Sequence, residues 1–192
     1  MQWSDLLPNI LIHVPGCPDT LVESLVHSVA VLFCQDTHAW VEQLPDIYPV
    51  AGVYRYSETL PPGADLHALK SSYQVSDNNA VKWPVAARIN VYGLITFDDT
   101  LDATRGRIEI YGVLKPTATA TGFPDGADLN AEQALIHGTL QRLFSMPGRA
   151  WTLPAMATYH QRLYNDEVSL ARNRRANGSS EMDQMVNPVA FY

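Results

Sequence analysis

The spacing of apolar residues in this 192-residue chain changes from helical to alternating and back again. From residue 18 to about residue 40, apolar residues recur every three or four positions, as they do on one face of a helix. Helical spacing returns in 128–145 and 153–177. Between these regions, four runs alternate apolar and polar side chains, which is typical of strands: 53–56, 73–75, 87–97 and 107–111. The sequence therefore predicts an α+β fold, an antiparallel bundle of three main helices with an inserted small antiparallel β-sheet and an extended C-terminal tail.

Capping residues and the positions of apolar side chains indicate where the predicted helices begin and which face of the first long helix is buried. A short turn capped by Ser4 precedes the first long helix, in which Thr20 and Glu23 have the spacing of a capping box. Asp128 and Thr152 are expected to cap the other two helices. The stripe of the first long helix is expected to be its buried face: Leu21, Leu25, Val29 and Leu32, widened by Val22, Val26 and Phe33.

The last helix combines apolar positions with a basic end. Arg172, Arg174 and Arg175 lie in its last turn, where the helix dipole favours cations. A contact to an acidic partner is the other favoured role for these three side chains, and a contact to DNA phosphates is less favoured, because three charges in an acidic chain attract phosphate only weakly. The apolar positions of this helix are Met156, Tyr159, Leu163, Val168, Leu170 and Ala171.

Composition divides the chain into four predicted parts. Residues 1–43 form the N-terminal helical part of the bundle, 44–126 a β-rich subdomain with a loop, and 127–178 the C-terminal helices. Residues 179–192 have neither helical nor strand periodicity, yet they are too apolar for a solubilising tail. We predict that they dock on another surface as an extended peptide, with these anchors: Met182, Met185, Val186, Val189, Phe191 and Tyr192.

Charge and cysteine content limit the classes of function. The chain carries 13 Lys and Arg against 20 Asp and Glu, a net charge of −7, which disfavours a protein that grips nucleic acid by its phosphates. Cys17 and Cys34 are expected to lie on the order of 25 Å apart along a helix and to stay reduced. The start lacks signal-peptide features, and the longest apolar run, 29–34, is too short to cross a bilayer. We therefore expect soluble protein partners and no membrane.

Motifs for catalysis or metal binding are missing from the sequence. No phosphate-binding loop, nucleophile elbow or paired zinc-ligand motif occurs. The six histidines are scattered, so each is interpreted as structural, and Cys34 is interpreted as a packed thiol. Asp98, Asp99 and Asp102 could bind a hard cation, but such residues also make the turns between strands, which is the preferred interpretation. We expect no catalytic residue, no metal and no cofactor.

Two blocks of sequence resemble a known family. The first comprises Asp-Leu-Leu-Pro at 5–8, Val-Pro-Gly-Cys-Pro at 14–18, a helix, and a Phe-Cys-x-x-Thr-x-x-Trp signature at 33–40. The second is 134–151, followed by the long helix 159–175. Together they are similar to the head-to-tail adaptor (connector, head-completion) proteins of tailed bacteriophages, over most of the chain.

This resemblance implies a structural protein of the virion neck, assembled in the host cytoplasm, and not an enzyme. Adaptors of this kind form a ring of about twelve copies beneath the portal, extend the DNA channel and provide the attachment site for a downstream tail or nozzle protein. Double-stranded DNA passes through without sequence-specific binding. The C-terminal segment of such proteins commonly docks on the portal, which agrees with the docking role predicted for 179–192.

Two other interpretations remain open. The chain could be a different tail component, such as a terminator or tube-associated protein, which would differ in whether it binds the portal directly. A hydrolase or nuclease is less favoured, because the sequence offers no converging set of polar groups.

Overall fold

The computed structural model describes residues 1–76, 81–90, 93–97, 101, 102, 104–124 and 130–177. Within them the helices are α1 (Leu7–Leu11), α2 (Asp19–Thr37), α3 (Glu132–Phe144) and α4 (Pro154–Asn177), with a 3-10 turn (Trp3–Leu6) before α1. The strands are β1 (Val41–Gln43), β2 (Arg55–Tyr56), β3 (Ala64–Val75), β4 (Lys82–Pro84), β5 (Ala87–Ile89), β6 (Ile95–Phe97) and β7 (Arg107–Pro116).

The strands form two antiparallel sheets. The larger sheet has the order β1-β7-β3-β4 and the smaller the order β2-β6-β5. β3 and β7 pair along almost their whole length, from Ala64 opposite Pro116 to Val75 opposite Arg107, with two register irregularities near Leu66 and Leu69. This long ladder forms the centre of the larger sheet, and β1 and β4 flank it as short edge strands.

The predicted architecture, a three-helix bundle with a small inserted sheet, is wrong. The described residues form four helices and two antiparallel sheets with seven strands. The sheet is not an appendage, since β7 packs against α2 and residues from both belong to one core. Side chains that share this core include Phe33, Trp40, Ile110, Leu114 and Leu135.

Two strand predictions fail for identifiable reasons. Only the last three residues of β3 were predicted, because the polar and small residues 70–72 interrupt its alternation. The predicted strand 87–97 is instead β5 and β6, paired with each other. Asn90 and Gly93 make the turn between them: the Gly93 amide donates to the Asn90 carbonyl at 3.0 Å, and Gly93 has a φ of 76°. Glycine adopts this left-handed conformation without strain.

The caps of the long helices also differ from prediction. α2 begins after Pro18 without a side-chain cap, so the capping box of Thr20 and Glu23 is not formed. Ser4 is not a cap either, since the 3-10 turn begins after Gln2, whose amide donates to Asp5 at 2.8 Å. α3 begins after Ala131, and Asp128 lies outside the described residues.

Thr152 stabilises a turn and does not cap the helix as predicted. Its hydroxyl accepts from the Arg149 amide at 3.0 Å and donates to the Met146 carbonyl. This closes the connection between α3 and α4, and α4 begins at Pro154.

The buried face of α2 is rotated from the predicted stripe. Its buried residues are Val22, Val26, Val29, Ala30, Phe33, Cys34 and Thr37, whereas Leu32 is 40% exposed and Leu21 and Leu25 are only partly buried. The helix ends three residues before the predicted Trp40, because His38 adopts a left-handed φ of 51°. Trp40 is nevertheless buried and belongs to the shared core.

The three long helices meet at Gly138 of α3. A Cβ atom at this position would lie 2.6 Å from Cγ1 of Val29 on α2 and 3.0 Å from the Tyr164 ring on α4. Real side chains do not approach so closely, so the crossing requires glycine. α2 thus lies between β7 on one side and the α3–α4 pair on the other.

Among the described helices, none is long and apolar enough to span a membrane.

Candidate functional site

A histidine cluster joins the end of α1 to α3 and α4. His137 and His160 face each other with their Nδ1 atoms 3.1 Å apart. His160 is 5% exposed and stacks on Phe144, with ring centroids 5.6 Å apart. The His13 ring lies 6.3 Å from that of His160. Sequence analysis missed this cluster, because its members lie far apart in the chain.

The hydrogen-bond partners of the two rings indicate which ring carries the proton that lies between them. Nε2 of His160 is buried without a hydrogen-bond partner. If His160 accepted at Nδ1, its own proton would occupy that buried Nε2 and lack an acceptor, which is costly. We therefore assign the donor role to Nδ1 of His160 and the acceptor role to Nδ1 of His137. His137 must be neutral to accept, whereas a proton added to His160 would occupy the buried Nε2, which has no hydrogen-bond partner.

Burial favours the neutral rings. It lowers the pKa of His160, with further lowering by His137 and His13. Burial also lowers the pKa of His137; Glu167 opposes this effect, and His13 adds to it. Within the described ranges, no group of three or more His, Cys, Asp or Glu side chains is arranged to hold a metal ion. The pair is a proton-sensitive packing contact.

The basic C-terminal end of α4 donates hydrogen bonds to the C-terminal end of α2. Arg172 donates from Nε to the Asp36 carbonyl at 2.9 Å, and Arg175 donates to the Thr37 carbonyl at 3.5 Å. α2 has no basic residue in its own last turn, so these two arginines supply the cations that its C-terminal dipole favours. Arg174 is exposed and lies away from this contact. Two of the three arginines predicted to contact a partner or DNA are thus engaged within the chain.

Of the acidic residues and tail residues predicted as candidates, only Asp102 lies within the described part of the chain. Asp98 and Asp99 lie outside the described residues, as do all six anchors predicted in the tail: Met182, Met185, Val186, Val189, Phe191 and Tyr192. Asp102 accepts from the Thr104 amide at 2.9 Å and from its hydroxyl at 2.6 Å, and it pairs with Arg105. The hydrogen bonds from Thr104 lower the pKa of Asp102. This is the turn role predicted for it.

Both cysteines are buried and free. Burial raises the pKa of the Cys34 thiol to about 12, so the nucleophilic thiolate is not formed near neutral pH. Its interpretation as a packed thiol agrees with this environment.

An ion-pair network that was not predicted crosses the larger sheet. Glu109, 6% exposed on β7, accepts from Lys82 at 2.6 Å and from Arg107 at 2.9 Å. Arg107 also lies 2.7 Å from Asp46, as an ion pair that is not aligned as a hydrogen bond. The Lys82 bond first, and then the Arg107 bond, lower the pKa of Glu109. These contacts connect β4, β7 and the segment after β1.

Among the described residues, most of the exposed large apolar side chains lie in two segments. The first, the α4 strip, consists of Tyr159, 53% exposed, Leu170, 47% exposed, and the partly buried Leu163 between them. The second, the β1–β2 loop, carries four exposed apolar side chains: Tyr48 at 71%, Val50 at 59%, Val53 at 40% and Tyr54 at 38%. Side chains of this size usually indicate a contact surface when they cluster.

No protein-family model matches the chain, and no curated protein matches its sequence significantly. The resemblance described above therefore depends on the two sequence blocks alone.

Proposed function

We propose that this chain is a head-to-tail adaptor of a tailed bacteriophage. It is a structural, non-enzymatic component of the virion neck that forms a ring beneath the portal. The ring extends the DNA channel and presents the attachment site for a downstream tail or nozzle protein.

The observation that carries this proposal is the packing of the two sequence blocks into one unit. Phe33, Cys34 and Trp40 of the first block share a core with Ala134, Leu135 and Leu140 of the second. The connecting contacts are close, since α2 and α4 both meet α3 at Gly138. The residues that carry the resemblance thus form the helical unit against which β7 of the larger sheet packs.

Charge and surface character support the same proposal. A net charge of −7 suits a channel wall, because a surface that repels phosphate does not retain a passing duplex. A ring also needs two different contact faces on each subunit. The α4 strip and the β1–β2 loop are two separate exposed apolar surfaces of the kind required.

The test is reconstitution with the portal protein encoded by the same genome. Negative-stain images of the mixture should show a second ring on the portal, with about twelve adaptor copies per portal. The proposal does not require the free protein to form a ring, since the portal acts as the template for ring assembly. A purified complex with one or two copies per portal would reject the ring.

Deleting residues 179–192 tests the docking role of the tail. Portal binding should be lost, while the melting temperature of the free protein stays nearly unchanged. Unchanged portal affinity would remove that role. If the protein did not bind the portal at all but joined a tail tube, the alternative of a terminator or tube-associated protein would replace the adaptor.

A further inference from the structure

His160 is the largest of the buried side chains by which α4 is attached to the rest of the subunit. Among the described side chains of α4, the other buried ones are Ala157, Val168 and Ala171. An alanine methyl group removes little apolar area from water, so it contributes little to the packing of a helix. The attachment of α4 therefore depends to a large extent on a ring that can take up a proton.

The C-terminal half of α4 has attachments that do not titrate near neutral pH. Arg172 donates to the Asp36 carbonyl at the end of α2. The Tyr164 ring packs against Gly138, where the three long helices meet. Burial raises the pKa of Tyr164, so its phenol stays neutral. This half is expected to remain docked when the pH falls moderately.

The N-terminal half of α4, residues 154–163, depends on the histidine pair. Ala157 and His160 are its buried residues, and Met156 is only partly buried against the core. His160 stacks on Phe144 of α3 and faces His137 of the same helix across 3.1 Å. The contact of this half with α3 is therefore centred on one ionisable ring.

Any proton added to the pair disturbs the contact at His160. If His137 takes the proton, its new N–H group faces the N–H group of His160, unless His160 moves its own proton to Nε2. If His160 takes the proton, Nε2 carries it directly. Nε2 is buried without a hydrogen-bond partner. Each case thus leaves two opposed donors or an unpaired buried N–H group, which is costly.

The charged groups around the pair favour the neutral rings at His160. The His13 ring, which follows α1, lies 6.3 Å from the His160 ring, and both neighbouring histidines lower the pKa of His160 after burial. Glu167 raises the pKa of His137, against the larger effect of burial. Tyr159 also contacts the His160 ring, at 5.2 Å between centroids. The carboxylate therefore acts on the less buried ring of the pair.

We propose that the histidine pair is a proton-operated latch, which releases the N-terminal half of α4 from α3 in mild acid while the C-terminal half and the β3–β7 ladder stay in place. The released segment of about ten residues is too short to remain helical in water by itself. Its backbone amides then lose their protection. This is a local opening, separate from global unfolding, and it does not depend on the adaptor function.

Native-state hydrogen exchange of the full-length protein, followed by NMR in low concentrations of urea and corrected for intrinsic exchange rates, tests the latch. Amides of 158–163 should have larger opening constants than those of the β3–β7 ladder. Their dependence on urea should be weak, because local opening exposes little surface. Uptake of one proton should raise their opening constant by up to about tenfold between about pH 7.5 and about pH 5.5.

Three variants assign this pH dependence to the pair. His160→Phe keeps a ring on Phe144 and cannot titrate, so opening of 158–163 should lose most of its pH dependence. His137→Gln keeps an acceptor for the His160 donor and removes one titrating ring, so the pH dependence should be smaller than in wild type. His67→Gln is the matched control, because His67 contacts His38 outside the cluster, and it should behave as wild type.

Three results would overturn the latch. In the first, amides of 158–163 share the opening constant and the urea dependence of the ladder, which would mean that they exchange only by global unfolding. In the second, their opening constant does not change with pH. In the third, His160→Phe keeps the full pH dependence of wild type. If His160→Phe does not fold, an unchanged pH dependence in His137→Gln overturns the latch instead.

Discussion

The Nδ1 atoms of His137 and His160 lie 3.1 Å apart, and the assigned tautomers place the single proton between them on His160. Burial lowers the pKa of both rings and so favours their neutral forms. The Coulombic effect of His13 lowers both pKa values further, whereas Glu167 opposes the lowering at His137. A proton on His137 removes the acceptor that the contact needs, and a proton on His160 places an N–H at the buried Nε2, which has no hydrogen-bond partner. The helix pair α3–α4 thus depends on proton concentration at this point.

The first prediction is that stability falls in mild acid. The folded pKa of both histidines is lowered, so the unfolded chain takes up protons first as the pH falls through about 6.5. The contribution of the pair is fully present above that pH and decreases toward the lowered folded pKa. Each additional proton bound on unfolding adds a slope of about 1.4 kcal/mol per pH unit. Urea melts between pH 5 and 8 measure this slope.

Two variants isolate the pair from the other histidines. His160→Phe removes the buried titratable ring and keeps a stack on Phe144, so its pH slope should be smaller than that of wild type. His67→Gln changes a histidine that contacts His38 and lies outside the cluster, so it should keep the wild-type slope. Equal slopes in all three proteins would exclude the pair as the source.

The second prediction concerns the helix crossing at Gly138. Gly138→Ala gains helix propensity of up to about 1 kcal/mol, but its methyl group collides with Val29 and Tyr164. Overpacking of this kind costs about 1 to 3 kcal/mol, so after the full propensity gain the net loss is at most about 2 kcal/mol. Adding Val29→Ala should recover part of the loss, because it removes the nearest atom. Strict additivity of the two changes in denaturant melts would contradict the close crossing.

The long helices could be predicted from the sequence, whereas the sheet could not. The predicted segments contain α2, α3 and α4, because three or more turns of periodic apolar residues give a strong signal. β1 and β4 are only three residues long, and pairing partners such as Val41 and Val113 lie far apart in the chain. Without the pairing, the size of the sheet was underestimated and the fold was described as a bundle.

The candidate surfaces were only partly accessible to sequence analysis. The apolar positions of α4 were recognised, but their division between a buried face and the exposed strip depends on where α2 and α3 pack. The arginine contacts to Asp36 and Thr37 connect residues more than 130 positions apart. The histidine cluster needs the same knowledge of tertiary structure, since His137 and His160 are 23 residues apart on different helices.

The third prediction concerns Arg172 as a cation at the end of α2. Arg172→Met retains most of the aliphatic stem but removes the donor to the Asp36 carbonyl. We expect a loss of about 0.5 to 1 kcal/mol, the usual size of a charge–dipole contact at an exposed helix end. Arg174→Met is the matched control on the same turn, and it should change stability by less than about 0.5 kcal/mol. Equal losses would indicate that general charge, and not the contact to α2, is responsible.

The last prediction locates the buried face of α2 by comparing two adjacent residues. Phe33 is 1% exposed and Leu32 is 40% exposed, although the sequence stripe included both. Phe33→Ala removes a buried ring between the helices and the sheet and should cost about 3 to 5 kcal/mol, because the core cannot close the cavity fully. Leu32→Ala removes little buried surface and replaces leucine with a better helix former, so its cost should stay below about 1 kcal/mol. Urea melts of both variants measure the difference. Similar losses at the two positions would place the core on the stripe predicted from sequence and would contradict the observed rotation of α2.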